Sequence, residues 1–172
     1  MTRGATTSDT DDAKCILHEI IPCNQLSAPD FRNWIFEIED RMMCHEKSLD
    51  RHTEDSPIKL KHTFTPGLYT REIFMPAGAL IISRIHLFEH PFVISKGKVS
   101  IYDGNEIVTV DGHFQGVTQE GTKRILYIHE DTTWTTFHIT EKKTFEEIDI
   151  NGVVTCDTFE EFERFTHKEI TI

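Results

Sequence analysis

Pro76 to Gly97 reads PAGALIISRIHLFEHPFVISKG, and the way this stretch folds decides what the chain can be. Leu80, Ile82, Arg84 and His86 share one parity, and His90, Phe92 and Ile94 share one parity after the Leu87-Phe88-Glu89 connection. Because side chains alternate along a strand, a hairpin here predicts His86 opposite His90 on one inward face. Paired imidazoles are either core histidines with satisfied hydrogen bonds or the start of a metal site, since imidazole is the commonest metal ligand.

A second stretch, Gly121 to His138, GTKRILYIHEDTTWTTFH, carries the remaining candidates. A hairpin of Arg124–Ile128 with Thr133–Ile139, turning about Asp131, places Trp134, Thr136 and His138 on the face of Arg124, Leu126 and Ile128. His138 then lies opposite Arg124 and joins His86 and His90. Three neutral imidazoles with open positions suit a divalent transition metal, zinc, iron, manganese or nickel, and carry too few carboxylates for calcium. Arg84 and Arg124 beside such an ion raise the local positive charge, so they point to an anionic ligand as well. On Tyr69 to Met75, YTREIFM, alternation leaves two choices. An inward Arg71 face offers another anion clamp. An inward Glu72 face offers a partner for Arg84 or for the metal.

Gly78, Arg84, His86, His90 and Gly97 have the spacing of the first motif of the cupins, and this stretch resembles it. Arg84 stands at that motif's first ligand position and His90 at its third, where the family usually has His and Glu. Gly121 and Arg124 resemble the second motif, with Gln119 at its Pro position and Arg124 at its His position. The resemblance covers about residues 62 to 140. The phrases around the motifs are similar to those of small cupin proteins encoded by phages and their bacterial hosts. It implies a mainly β fold, a single cupin-type jelly-roll barrel with an N-terminal helix and short C-terminal helices, with the histidines inside.

In the remaining chain, Ser27 and Asp30 cap a helix from about Ala28 to Cys44. Phe31, Trp34, Ile35, Ile38 and Met42 form its apolar stripe. The stripe needs a partner, either the outside of the barrel or a second copy of the chain, and a homo-oligomer is expected. Asp103-Gly104-Asn105 predicts a hairpin between Lys98–Tyr102 and Ile107–Val110. The boundaries expected are a flexible leader over 1–13, an arm and helix over 14–57, the barrel over 58–140 and a helical cover over 141–172. In that cover, helices start near Thr144 and Thr158, with Phe159, Phe162 and Phe165 over the barrel end.

Composition narrows the function. The chain has 172 residues, 38% of them hydrophobic, which suits a folded domain. Its formal charge of −11 and scattered Lys and Arg argue against nucleic acid and against anionic membranes as partners. No apolar run suits a bilayer span or a signal peptide, so the expected location is cytoplasmic. Cys15, Cys23, Cys44 and Cys156 lack CxxC spacing and read as free thiols. No nucleophile with a paired base, phosphate loop or dinucleotide fingerprint is present. Two functions remain: a barrel binding a metal and a small anionic molecule, or a non-catalytic structural or regulatory barrel, phage-associated, that makes protein contacts.

Overall fold

The computed structural model describes residues 20–21, 26–45, 55–144, 147 and 154–169. Helix α1 (Ala28–Met43) opens where expected: Ser27 is extended, and its Oγ accepts from the Asp30 N–H at 3.3 Å, with Pro29 in the first turn. The strands follow as β1 (Lys59–Thr65), β2 (Leu68–Met75), β3 (Leu80–Ile82), β4 (Ile85–His86), β5 (His90–Lys96) and β6 (Lys98–Tyr102). Then come β7 (Ile107–Asp111), β8 (Phe114–Thr118), β9 (Ile125–Ile128), β10 (Thr132–Ile139), β11 (Thr155–Cys156) and helix α2 (Phe159–Glu169).

The fold is mainly β. One sheet has the order β1-β2-β10-β5-β8, a second has β3-β9-β6-β7, and β4 pairs with β11. All these pairings are antiparallel. The chain passes between the two main sheets from β2 to β3, at Gly97, from β7 to β8, from β8 to β9 and from β9 to β10, as the strands of a jelly roll do. The two main sheets stay separate hydrogen-bonded ladders among the described residues. Gly97 makes its switch with φ +97°, and a Cβ there would stand 2.6 Å from the Asp131 carbonyl oxygen, so only glycine fits.

Alternation sorts the apolar residues into layers. Met75, Phe92, Ile94, Val99, Val110, Leu126, Ile128 and Trp134 form the core between the main sheets. Phe31, Ile35 and Ile38 bury the α1 stripe against Tyr102 and Ile125 on the outer face of the second sheet, with Trp34 and Met42 alongside. Phe31 and Trp34 both meet Tyr102 edge-on, with centroids 5.7 and 6.0 Å away. Trp34 is thus a packing anchor. Lys123, with its side chain 2% exposed, pins the helix by reaching Glu39 at 2.8 Å and the Ser83 carbonyl at 3.1 Å.

Three local expectations are corrected. His86 and His90 do not belong to one hairpin: β4 pairs with β11, with His86 opposite Thr155. The parity of β3 is also reversed. Leu80 and Ile82 face α1, while Ile81 packs on the core. The chain leaves the ladder at Ser83, whose Oγ accepts from the Arg124 N–H at 3.1 Å, so parity does not carry through to His86. Finally, β9 and β10 are not a hairpin but lie in different sheets. The His129 N–H donates to the Lys98 carbonyl at 2.9 Å, and Asp131 Oδ1 accepts from the Ala77 N–H at 3.0 Å, which holds the connection as a crossover.

The β6–β7 hairpin forms as expected, with Tyr102 opposite Ile107. Strands β8 and β11 were not anticipated. Helix α2 starts on a reciprocal cap: the Glu161 N–H donates to Thr158 Oγ1 at 3.2 Å, and Glu161 Oε2 accepts from the Thr158 N–H at 3.3 Å. Phe159, Phe162 and Phe165 pack on Ile85, Leu87 and Cys156. The expected leader over 1–13, residues 14–19 of the expected arm and most of the helix expected near Thr144 lie outside the described residues. Among the described residues no helix is long and apolar enough to cross a membrane.

Ile35 is fully buried at the centre of the α1 stripe. Ile35→Ala is expected to destabilise the chain by roughly 2–5 kcal/mol, read as a lower urea midpoint at unchanged slope. A loss below about 0.5 kcal/mol, the range of an ordinary surface substitution, contradicts the packing described for α1.

Candidate ligand site

Strand parity and one irregular junction gather the three histidines. His138 is on the inner face of β10 with Trp134 and Thr136, and its register partner is Tyr69 on β2. His90 begins β5 opposite Thr118 on β8. His86 ends β4, where its carbonyl accepts from the Gly121 N–H at 2.7 Å and its N–H donates to the Thr122 carbonyl at 3.1 Å. The ring centroids of His86 and His90 are 4.6 Å apart, and those of His90 and His138 are 4.2 Å apart. All three are buried, at 4%, 2% and 5% exposure.

The hydrogen bond of His90 assigns its tautomer. His90 Nδ1 is 3.0 Å from the Phe88 carbonyl, which only accepts, so Nδ1 carries the proton. Nε2 of His90 and Nδ1 of His86 are buried without a hydrogen-bond partner among the described residues. His138 Nε2 is 3.0 Å from Thr136 Oγ1, whose hydroxyl is directed at the Arg71 carbonyl at 3.4 Å. Tyr69 stacks on the His138 ring at 5.6 Å and bonds to His62 Nδ1 through its hydroxyl at 2.7 Å.

Burial keeps these rings neutral. Desolvation, then the neighbouring His90 and the Arg124 and Arg71 cations, hold His86 well below the usual imidazole range. Desolvation takes His90 down to about 4, opposed by its bond to the Phe88 carbonyl and assisted by Arg124 and Arg71. His138 falls to about 3 through desolvation, His90 and Arg71.

The arginines separate into different roles. Arg124 is 7% exposed, donates from Nη2 to Thr118 Oγ1 at 2.6 Å, and lies over the Trp134 and Phe92 rings at 5.1 and 5.4 Å. Burial lowers it to about 10, against the attraction of Asp103, so it is still a cation at neutral pH. No carboxylate is bonded to it among the described residues. Arg84 instead pairs with Asp157 at 2.9 Å, where the chain passes from β11 to α2. Arg71 shares a face of β2 with buried Tyr69 and Met75, so the Arg71 face is the inner one. Glu72 therefore points outward, opposite Lys61 and Thr135, away from the histidines.

Sequence reasoning missed Thr118, which lies on a strand without an alternating apolar pattern, since Phe114 and Val117 fall on opposite parities. As a metal site the cluster is incomplete. Among the described residues no group of three or more His, Cys, Asp or Glu side chains is arranged to hold an ion, and His138 Nε2 is already engaged by Thr136.

Several solved structures are similar to the chain. The EutQ protein of Clostridium difficile is 13% identical, with a TM-score of 0.45, over 55% of this chain and 77% of that one. A cupin-2 domain containing protein of Shewanella frigidimarina is 8% identical, with a TM-score of 0.41, over 60% of this chain and 92% of that one. An acetylacetone dioxygenase of Acinetobacter johnsonii is 17% identical, with a TM-score of 0.43, over 55% of this chain and 70% of that one. No family model and no curated protein matches the chain.

The depressed histidines set a pH dependence. An unfolded imidazole titrates near 6.5, and the folded ones titrate at about 4, at about 3 and well below the ordinary value. Their contribution is fully present above pH 6.5 and is lost as pH falls, because only the unfolded chain takes up protons. Each imidazole removes about 1.4 kcal/mol per pH unit once below its unfolded value. Urea midpoints should therefore fall steeply between pH 6.5 and 5. A flat profile over that interval contradicts neutral burial.

Proposed function

We propose that this chain is a small-molecule-binding protein whose jelly-roll interior takes a small anionic ligand. The observation that carries the reading is Arg124, a buried cation resting on two aromatic faces with no carboxylate bonded to it among the described residues. Asp103 attracts Arg124 without bonding to it, and a desolvated charge with no bonded counter-charge is unfavourable by several kcal/mol, a cost that a ligand of opposite charge relieves. The nearby histidines cannot be that counter-charge, because neutral imidazole carries none. Arg71, on the inner face of the other main sheet, adds a second positive field at His90 and His138. Arg84, tied to Asp157, is outside this proposal.

A second reading is a divalent transition metal, zinc, iron, manganese or nickel, held by His86 and His90. It is favoured by their two unpartnered nitrogens. The adjacent cations and the engagement of His138 weigh against it. Elemental analysis of protein purified without chelating resin separates the two. In the third reading, a non-catalytic barrel in which only the surface matters, neither ion nor ligand binds.

Arg124→Met keeps the length of the side chain and removes the charge. It is expected to abolish carboxylate binding measured by titration calorimetry. In the absence of ligand it is expected to stabilise the chain by about 1–4 kcal/mol, as replacing buried ions with apolar groups often does. Unchanged carboxylate affinity in this variant, or no carboxylate affinity in the parent, overturns the anion reading.

A further inference from the structure

Resting on that anion site, we infer that its ligand is a small hydroxycarboxylic acid: the carboxylate meets Arg124 and an adjacent hydroxyl donates to Nε2 of His90. The carboxylate follows from the buried cation. The hydroxyl follows from hydrogen-bond accounting at His90. Its Nδ1–H is committed to the Phe88 carbonyl at 3.0 Å, so in the neutral ring Nε2 has only a lone pair to offer. That lone pair is buried, 2% of the residue being exposed, and it has no partner among the described residues. Buried polar atoms are nearly always paired, and this one accepts but cannot donate. A plain carboxylate is also only an acceptor and leaves it unmatched.

Thr118 places the two demands side by side. It is the register partner of His90, and its hydroxyl oxygen accepts a hydrogen bond from Arg124 Nη2 at 2.6 Å. One short residue of β8 thus links the guanidinium and the imidazole, so the acidic and hydroxyl groups of the ligand must be close together. A hydroxyl on the carbon next to the carboxylate, or one carbon further, meets that requirement. His86 Nδ1, also buried and unpartnered, provides a second polar contact in the same cluster.

The test compares matched acids on the whole protein by calorimetry: glycolate with acetate, malate with succinate, and 2- and 3-hydroxybutyrate with butyrate. Methoxyacetate is added because it keeps the oxygen and removes the donated proton. At least one hydroxy acid is expected to bind about tenfold or more tightly than its deoxy partner, and methoxyacetate is expected to behave like acetate. In protein labelled with 15N, that hydroxy acid should move the His90 Nε2 signal and its deoxy partner should not. This second readout needs no variant at a buried position. Equal affinity within every pair, or equal binding of methoxyacetate and glycolate, overturns the hydroxyl assignment and leaves the anion site standing. No binding of any acid overturns both.

Discussion

An ionisable group taken out of water must become neutral or find a partner, and the interior of this chain contains both outcomes within one cluster. The imidazoles of His86, His90 and His138 take the first. Arg124 cannot, because even after burial lowers it to about 10 it remains charged at neutral pH. What the protein gives it is partial: one hydroxyl, two ring faces and the attraction of Asp103. The outer shell serves to hold this arrangement. Helix α1 closes one sheet face, Lys123 fixes that helix from below, and the Gly97 switch places β5 and β6 in opposite sheets.

How much of this was legible in the sequence follows the range of the interactions. Helix α1 and the β6–β7 hairpin are local, and caps, turns and periodicity were enough to draw both. The inner face of β10 was legible from alternation, and the spacing of His86 and His90 marked them as a pair. Sheet partners distant in sequence were not legible. Strand β4 pairs with β11 from the far end of the chain, and nothing in a short window encodes that. The two hairpins drawn through Leu87-Phe88-Glu89 and through Asp131 were wrong connections. The imidazoles still gather, because a jelly roll turns successive strands toward one interior.

The arginines show the limit most clearly. Arg84 and Arg124 were equivalent in the sequence, each standing where the resembled motif has a ligand. Their difference is tertiary: Asp157, beside the unanticipated β11, captures Arg84, while the unanticipated β8 brings only a hydroxyl to Arg124. Glu72 was similarly undecided until the burial of Tyr69 and Met75 fixed which side of β2 faces inward.

The neutrality of the buried histidines beside a retained cation is the central claim, and the 15N spectrum of the imidazole side chains at pH 6 measures it directly. We expect three neutral rings, with the proton of His90 on Nδ1 and an unprotonated Nε2. An imidazolium pattern for His90 or His138 at that pH would contradict it, since burial and the Arg71 cation, joined at His90 by Arg124, hold both rings neutral there.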